Sequence, residues 1–410
     1  MMIPYGYKQT EAGVIPEDWE LLLLGKTAKV YRGGSPRPIQ SYITNSSNGV
    51  NWIKIGDVRE NDKYIYSTQE KIRPDGISMS REVHIGDFIL SNSMSFGRPY
   101  ILRTNGCIHD GWLTIQEYGQ AFSTEYLYYL LSSKIIYKQY IGMAAGSSVK
   151  NLNKDKVSSL MVICPPLPEQ QRIAEALSDV DGMISSLEKL IAKYKSIKTA
   201  CLQQMFPQNG ETVPRMRLPG FTGAWEQHKL GDVAKYRNGK AHENDISEQG
   251  KFIVVNSKFV STNGEVRKFS NKQIEPLFKN EIAFVLSDVP NGRAIARTFL
   301  VDKNDKYTLN QRIAGITPIE GVCPYFLHIL MNRNNYFLQF DDGAKQTNLS
   351  VTDVMEFAEY YPSSEEEQQI GMFFQQLDNL ITLHQRKLEK IQKIKQGMMQ
   401  QLLTGKIRLV

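Results

Sequence analysis

The chain contains two copies of one sequence pattern. Residues 146–206 align with residues 343–403 at a constant shift of 197 residues, and the alignment needs no gap. Identical residues lie at Gly146/Gly343, Asn151/Asn348, Leu152/Leu349, Val157/Val354, Pro165/Pro362, Glu169/Glu366, Ile173/Ile370, Asp181/Asp378, Ile184/Ile381, Ile197/Ile394 and Lys198/Lys395. A repeat of about 200 residues is far longer than a solenoid unit, so it predicts a whole domain present twice. Two similar domains imply two similar surfaces and a target with two parts.

The length and charge of the chain are compatible with a two-domain protein that binds a polyanion. Its 410 residues allow two domains, each long enough to bury its own core. The net charge is +6, from 49 Lys and Arg against 43 Asp and Glu. This modest excess permits a polyanionic partner without establishing one.

Cysteine usage argues against a disulfide framework or a zinc site. The four cysteines are Cys107, Cys164, Cys201 and Cys323. They form no CxxC pair and occupy different places in the two copies, which predicts free thiols in a reducing cytoplasm. Residues 1–20 lack the apolar centre of a signal peptide, and Leu21–Leu24 is too short to span a bilayer. We therefore expect a cytoplasmic protein with no membrane partner.

Each copy predicts an α+β domain followed by a long helix. The predicted strands are Val50–Ile55, Phe88–Leu90, Phe252–Val255 and Ile282–Leu286. The predicted shorter helices are Tyr126–Tyr140, opened by Ser123, and Tyr325–Met331. The expected boundaries are 1–168 and 224–363 for the globular domains, 169–206 and 364–410 for the long helices and tail, and 207–223 for the linker.

The two long helices carry matching heptad patterns. Their a and d positions are Leu177, Val180, Ile184, Leu187, Ile191, Tyr194, Lys198, Cys201 and Met205, and Phe374, Leu377, Ile381, His384, Leu388, Ile391, Lys395, Met398 and Leu402. Because neither apolar stripe can be left in water, we expect the helices to form an antiparallel two-helix coiled coil with pseudo-two-fold symmetry. Its length would be roughly 45–50 Å. The alternative is that each helix packs on its own domain.

A search for catalytic motifs finds none. The sequence has no G-x-G-x-x-G after a strand, no G-x-x-x-x-G-K-[ST] and no H-E-x-x-H, and its six histidines lie singly. The segment Cys164-Pro165-Pro166-Leu167 resembles the [DNS]-P-P-[YFW] element of amino-methyltransferases but has a different first and last residue. We interpret its prolines as a rigid entry to the first long helix. The sequence thus predicts no catalytic residue and no bound cofactor or metal.

Three loops in each copy carry residue types that suit nucleic acid. Arg reads guanine edges, Asn and Gln read adenine, and Lys holds phosphates. The candidate DNA-contacting residues are Arg32, Ser35, Arg37, Asn92, Ser93, Arg98 and Lys150 in the first copy, and Arg237, Lys240, His242, Asn291, Arg293, Lys345 and Gln346 in the second. The alternative is that these are ordinary polar loops. Aligned loops with different side chains favour two readers of different sequences.

Several motifs resemble one known family. They are Pro-Pro-Leu-Pro-Glu-Gln-Gln-Arg-Ile-Ala at 165–174, Ile-Pro-Glu-Asp-Trp at 15–19, Trp-Ile-Lys-Ile-Gly-Asp at 52–57 and Met-Gln-Gln-Leu-Leu-Thr-Gly at 399–405. On these motifs and the repeat, the chain resembles the specificity subunits of type I restriction–modification enzymes over essentially its whole length. The second copy departs in detail, with Ser363–Ile370 in place of the Pro-Leu-Pro-Glu-Gln string and Phe252–Asn256 in place of the Trp52 segment.

The resemblance implies a non-catalytic subunit of a DNA-modifying complex. Two target-recognition domains, separated by the helical pair, would each bind half of a split site in double-stranded DNA. The helices would bind two modification (methyltransferase) subunits that carry S-adenosylmethionine, and restriction (translocase) subunits would add ATP- and Mg-dependent chemistry. Three other readings stay open: a self-contained DNA-modifying enzyme, a coiled-coil adaptor that binds no DNA, and an inhibitor-like or regulatory DNA binder without enzyme partners.

Overall fold

The structure, a computed structural model, describes residues 3–59, 62–92, 97–144, 152–208, 211–290 and 292–410. Contacts divide the chain into two compact units. One is formed by Met1–Glu188 with Arg386–Val410, and the other by Lys189–Gln385. The first unit therefore joins two segments that are far apart in the sequence, whereas the second is continuous.

The first unit combines short strands and helices with part of a long helix. Its strands are β1 (Tyr7–Thr10), β2 (Gly13–Pro16), β3 (Glu20–Leu23), β4 (Lys29–Arg32), β5 (Ile43–Thr44), β6 (Val50–Ile53), β7 (Tyr64–Ile65), β8 (Glu70–Ile72), β9 (Arg81–Val83), β10 (Phe88–Ser91), β11 (Pro99–Leu102), β12 (Gly106–Ile108), β13 (Trp112–Gln116) and β14 (Met161–Cys164). Its helices are α1 (Leu24–Thr27), α2 (Thr124–Leu131), α3 (Lys134–Ala144), α4 (Lys154–Ser158) and the first part of α5 (Leu167–Gln204).

Two sheets form the framework of the first unit. Their strand orders are β4-β13-β10-β11-β7 and β5-β8-β6-β12-β9. In the first sheet, β13 runs antiparallel to both β4 and β10. Strands β10 and β11 are buried along their whole length, and apart from Ser91 they consist of apolar and aromatic residues. The largest core joins this sheet to α2 and includes Trp19, Phe88, Tyr126 and Leu130.

The second unit is built from a closely similar set of elements. Its strands are β15 (Glu226–Lys229), β16 (Ala234–Asn238), β17 (Phe252–Val255), β18 (Phe269–Ser270), β19 (Pro276–Leu277), β20 (Ile282–Val285), β21 (Ser287–Asp288), β22 (Thr298–Leu300), β23 (Tyr307–Leu309), β24 (Ile313–Pro318), β25 (Thr347–Asn348) and β26 (Ala358–Tyr361). Its helices are the end of α5, α6 (Leu230–Val233), α7 (Ser257–Ser261), α8 (Pro324–Met331), α9 (Asn335–Leu338), α10 (Val351–Met355) and the start of α11 (Ser364–Leu402), whose end belongs to the first unit.

The sheets of the second unit repeat those of the first with four strands in each instead of five. Their orders are β16-β24-β20-β22 and β18-β17-β23-β19. Strand β24 runs antiparallel to β16 and β20, as β13 does to β4 and β10. The pair β17 and β23 is parallel, as are β6 and β12. The predicted duplication of an α+β domain is confirmed.

The structure departs from one predicted helix. The pattern over Tyr126–Tyr140 predicts one helix, but α2 ends at Leu131 and α3 begins at Lys134. The two serines between them explain the break. Ser132 Oγ donates to the carbonyl of Tyr128 at 2.7 Å, and Ser133 Oγ accepts from the backbone N–H of Ile136 at 3.4 Å. Serine side chains that bond to the backbone in this way compete with helix continuation.

The a and d positions of the long helices are buried or half-buried in both units, and the predicted antiparallel pairing is confirmed within each. In the second unit, Lys198 Nζ lies 2.7 Å from both carboxylate oxygens of Asp378, and the rings of Tyr194 and His384 stack with centroids 5.6 Å apart. From Tyr194 to Lys198 along α5, the partner on α11 changes from His384 to Asp378. The two helices therefore run antiparallel.

The same ion pair occurs in the first unit. There, Lys395 Nζ lies 2.5 Å from an oxygen of Asp181. In each unit a tyrosine from the globular part donates to that aspartate: Tyr129 to Asp181 at 2.8 Å and Tyr325 to Asp378 at 2.7 Å. Each lysine at an a position thus belongs to a three-residue cluster that joins a globular fold to the paired helices.

Candidate nucleic-acid interface

In the first unit, three loops meet at one end of a sheet. Because β13 is antiparallel to β4 and β10, the turn before β13 lies beside the ends of β4 and β10. Backbone hydrogen bonds join the loops: Gly33 N to Trp112 O (2.8 Å), Gly34 N to Ile108 O (3.2 Å), Asn92 N to Gly111 O (3.1 Å) and Leu152 N to Asn92 O (3.0 Å). We call residues 32–37, 92 and 109–111 the first loop face.

Glycine is required where two of these loops touch. A Cβ atom at Gly33 would lie 2.1 Å from the carbonyl oxygen of His109, too close for any side chain. The Gly33-Gly34 turn therefore allows backbone contact between the two loops. This contact fixes the position of the residues that follow it, Ser35 and Arg37.

Four candidate residues of the first copy converge on Asp110. Ser35 Oγ donates to its carboxylate at 3.0 Å, and Arg37 Nη2 lies 3.4 Å from the other oxygen. Arg32 Nε and Asn92 Nδ2 donate to the Asp110 backbone carbonyl at 3.3 and 3.2 Å. The structure therefore brings these predicted residues together around one that the sequence analysis did not select.

The Asp110 carboxyl group is held in its charged form. Burial raises its pKa, but the hydrogen bond from Ser35 and the charges of His109, Arg37 and Arg32 act in the opposite direction, and the net pKa is lowered. His109 Nε2 lies 2.9 Å from the carboxylate. The side chain remains 31% exposed, so this face presents an anionic acceptor surrounded by cations.

Two further cations flank the first loop face. The guanidinium of Arg81 lies 4.6 Å from the ring centroid of Tyr31, and Lys154 Nζ lies 5.9 Å from it. Tyr31 directly precedes Arg32, and both cations are exposed. A cation near the face of an aromatic ring is attracted by the ring, typically by about 0.5–1 kcal/mol at an exposed site. Sequence reasoning missed both residues because they come from β9 and α4, far from Tyr31 in the chain.

The second unit has the same loop framework. The corresponding backbone hydrogen bonds are Gly239 N to Ile313 O (3.0 Å), Lys240 N to Leu309 O (3.1 Å), Leu286 N to Arg312 O (3.0 Å) and Leu349 N to Leu286 O (2.9 Å). A Cβ at Gly239 would lie 2.0 Å from the carbonyl oxygen of Asn310, as at Gly33. The second loop face comprises residues 238–242, 286–290, 292–293, 310–312 and 345–348.

The candidate Arg237 is bound within the protein. Its Nη2 donates to Glu281 at 2.7 Å and to the carbonyl of Pro276 at 2.6 Å, and its Nη1 contacts Glu275. Glu281 is only 4% exposed. Gly315, opposite Arg237 on β24, leaves room for the side chain. These contacts give Arg237 a structural role, and its guanidinium has little left for a ligand.

The next two candidates differ in exposure. His242 is 2% exposed, and its ring nitrogens bond to the Lys240 carbonyl at 2.7 Å and to Thr308 Oγ1 at 2.8 Å. It is therefore a structural residue beneath the loop. The Lys240 side chain is 63% exposed, with Nζ 2.9 Å from a Glu275 oxygen.

The remaining second-copy loops are joined by a short strand pair. Strand β21 pairs with β25, and Gln346 Nε2 donates to Ser287 Oγ at 2.8 Å. The Asp288 carboxylate accepts from two backbone N–H groups just after Arg293, at 2.5 and 3.1 Å. This arrangement places the exposed Arg293, Lys345 and Gln346 on adjoining loops, as their residue types predict for one surface.

Arg98 occupies a different place from the other candidates. It lines a cleft of about 1330 Å³ within the first unit, together with Tyr128, Tyr129, Asp181 and Lys395. The candidates Ser93, Lys150 and Asn291 lie outside the described residues.

Among the described residues, no group of three or more His, Cys, Asp or Glu side chains could hold a metal ion. No helix in the described ranges is long and apolar enough to cross a membrane. The cysteines are free thiols.

The sequence motifs did not point to the turn that precedes β13 in the first unit and β24 in the second. It is His109-Asp110-Gly111 in the first unit and Asn310-Gln311-Arg312 in the second. In both units it directly precedes a bulky apolar residue, Trp112 or Ile313. This recurring pattern can be read from the sequence. The contacts of the turn with the other loops can be known only from the order of the strands in the sheet.

Comparisons with known proteins agree with a duplicated DNA-recognition domain. The family described as "Type I restriction modification DNA specificity domain" matches residues 16–197 and again 223–393. The type I restriction enzyme MjaVIII specificity subunit of Methanocaldococcus jannaschii is 23% identical, with 98% of this chain and 96% of that protein covered. The putative MjaX specificity subunit of the same organism is 24% identical, covering 98% and 97%.

Two solved structures share the fold. The type I restriction–modification system S subunit from M. genitalium has a TM-score of 0.61 at 14% identity, with 98% of each chain covered. A chain from a structure described by complex assembly and conformational transition of the type I R-M system has a TM-score of 0.58 at 16% identity. That match covers 96% of this chain and 99% of the other.

Proposed function

The chain belongs to the type I restriction–modification DNA specificity family, and we propose on this premise that it reads a bipartite duplex site through its two loop faces. Each face contacts one half of the site. The paired helices act as spacer and docking site for partner subunits, which carry out the chemistry. The chain itself supplies recognition and no reaction step.

One observation carries the proposal: the same backbone framework is built twice with different side chains. The four hydrogen bonds that join the loops of the first face have counterparts in the second, and paired lengths differ by no more than 0.2 Å. If both faces bound the same ligand, they would need the same side chains. Equal frameworks with different residues instead suit two readers of different base sequences.

The first face is suited to read bases with preorganised donors. Asp110 holds Ser35 and Arg37 through its carboxylate and Arg32 through its carbonyl. Because these contacts restrict the arginines before DNA arrives, less side-chain entropy is lost on binding. The Arg37 side chain is still 82% exposed and can offer its forked donors to a guanine edge or a phosphate.

The second face uses a different set. We assign Lys240, Arg293, Lys345 and Gln346 to DNA contact because they are exposed on adjoining loops. Arg237 and His242 support the loops from below and are left out of the proposed contact set. Lysines suit phosphates, whereas Arg293 and Gln346 have the paired donor or donor–acceptor geometry that distinguishes bases.

The helices are the proposed docking site for two modification subunits. Exposed apolar side chains interrupt their polar surface, with Met183 56% and Ile394 47% exposed in the first unit and Leu383 60% exposed in the second. We propose that a modification subunit covers these exposed apolar side chains. S-adenosylmethionine would be held by those subunits, and ATP and Mg by restriction subunits. The free cysteines support a cytoplasmic location.

The proposal is tested by selecting duplexes from a random library with the purified full-length chain. We expect enrichment of two short half-sites at a fixed spacing. Arg37→Ala should weaken preference for one half-site about 5- to 150-fold and leave the other unchanged. Lys29→Ala is the matched control, since this exposed cation lies at the opposite end of the same strand β4.

Three results would overturn this reading. If the chain enriches no duplex sequence, it does not recognise DNA alone, and an adaptor role is favoured. If the isolated chain methylates or cleaves DNA, it is an enzyme in its own right. Salt-dependent binding without sequence preference would show phosphate contact only.

A further inference from the structure

The turn of residues 310–312 is the centre of the second loop face. It connects β23 to β24 and is tied to loops on both sides. Gln311 N donates to the Lys240 carbonyl at 2.9 Å, and Leu286 N donates to the Arg312 carbonyl at 3.0 Å. The turn thus lies between the loop after β16, which carries Lys240, and the loop after β20, which carries Arg293.

Arg312 has a backbone conformation that disfavours a side chain. Its φ is +66°, in the left-handed region where glycine has no steric cost and most other residues do. The framework does not need a side chain at this place, because the corresponding residue of the first unit is Gly111. The Gly111 carbonyl accepts from Asn92 N as the Arg312 carbonyl accepts from Leu286 N.

No hydrogen bond or ion pair with a described residue accounts for the Arg312 side chain. Arg312 is exposed, and within the described ranges its guanidinium has no hydrogen bond or ion pair. Arg333 provides a comparison, since it also has positive φ, at +58°, but its Nη1 donates to the Ile295 carbonyl at 3.3 Å. Folding therefore explains the side chain of Arg333 but not that of Arg312.

We propose that Arg312 is a specificity-determining residue that reads a guanine in the half-site bound by the second unit. The inference rests on the proposed function and deepens it. A guanidinium offers two parallel donors that match the O6 and N7 acceptors of guanine in the major groove. The first unit, with Gly111 at this position and the Asp110 carboxylate beside it, reads its own half-site with different groups.

The test is duplex selection with the full-length chain and three variants of this residue. Arg312→Gly removes the side chain and relieves the backbone, so the variant should fold at least as well as the parent chain. It should lose discrimination at one guanine of one half-site by tenfold or more, with the other half-site unchanged. Arg312→Ala should give the same loss of discrimination.

The conservative variant separates base reading from charge. Arg312→Lys keeps the charge but loses the fork, so we expect it to restore the salt dependence of binding and not the guanine preference. Lys303→Ala is the control, because this exposed cation lies in the β22–β23 loop, at the other end of β20 from the loop face. It should leave both half-sites as they are.

The outcomes distinguish failure of the proposed function from failure of the proposed role of Arg312. A parent chain that selects no sequence defeats the proposed function itself. A parent chain that selects two half-sites, with the same guanine retained by Arg312→Gly, overturns only the role of Arg312. Full rescue of the guanine preference by lysine would overturn the two-donor guanidinium contact, because a single ammonium donor would then suffice.

Discussion

Replacing Glu367 by glutamine is expected to stabilise the second unit above neutral pH and to have no effect near pH 4. Glu367 is 4% exposed, and its Oε2 accepts from Cys323 N, just before α8, at 2.8 Å. The first unit has Gln170 at the equivalent position. Gln170 Oε1 accepts from Ser123 N, just before α2, at 2.9 Å. A neutral amide therefore already fills this place once in the same chain.

The size of the effect follows from the pKa of Glu367. Burial raises that pKa from 4.5 to about 7, although the hydrogen bond from Cys323 opposes the rise. Between these values the folded state binds the proton more strongly than the unfolded state does. The stabilisation is therefore complete below pH 4.5 and is lost as the pH rises through 7. The loss amounts to about 3 kcal/mol above pH 8.

The measurement is urea unfolding of the full chain between pH 4 and 8, for the parent and for Glu367→Gln. Hydrogen exchange of peptides from α8 assigns the change to the second unit, because the two units need not unfold together. The reciprocal change, Gln170→Glu, should lower the stability of the first unit at pH 8 and have less effect at pH 5. Unfolding free energies of parent and Glu367→Gln that run parallel across this range would refute the reasoning.

Three further predictions concern other contacts. Asp378→Ala should lower the free energy of unfolding by about 2 kcal/mol, because it removes both an ion pair and the hydrogen bond from Tyr325. Asp378→Asn should lower it by about half as much, because the amide keeps an acceptor. Urea unfolding measures both changes. Arg217→Ala should destabilise the second unit by about 3 kcal/mol, since it leaves the carboxylate of Glu366, 1% exposed, without its cation; a thermal melt of that variant with an unchanged midpoint would contradict this. Arg293→Ala should weaken sequence discrimination by about 1–3 kcal/mol in a competition assay, and full retention of specificity would remove its loop from the reading surface.

The sequence was sufficient for the architecture because its strongest signals are periodic. The repeat predicted two similar domains, and the heptads predicted the pairing that Lys198 and Asp378 make within the second unit. Local side-chain chemistry was harder to foresee. The break between α2 and α3 depends on where the hydroxyls of Ser132 and Ser133 point, which apolar spacing does not record.

The candidate site was predictable to the level of loops but not of side chains. The loops of Ser35 and Asn92 converge because β4 and β10 both run antiparallel to β13 and so end at the same edge of the sheet. Residue type and position in the repeat were enough to select these loops. The sequence could not show that Glu275 and Glu281 would engage Arg237, since those partners lie about 40 residues away. Asp110 was missed because its importance comes from the loops around it.

The first unit is made of two segments that are far apart in the sequence, and this has a consequence for its biosynthesis. Arg408 binds the buried carboxylate of Glu169 at 2.7 Å, and Tyr7 donates to the Gly405 carbonyl at 2.9 Å, so residues after 385 complete a unit whose larger segment, up to residue 188, is synthesised earlier. At usual elongation rates, residues 189–385 take roughly 10–40 s to emerge from the ribosome. The continuous second unit can fold during that interval, whereas residues 1–188 of the first unit still expose the apolar surface that residues after 385 cover. Nascent chains of this protein should therefore recruit chaperones to the half synthesised first.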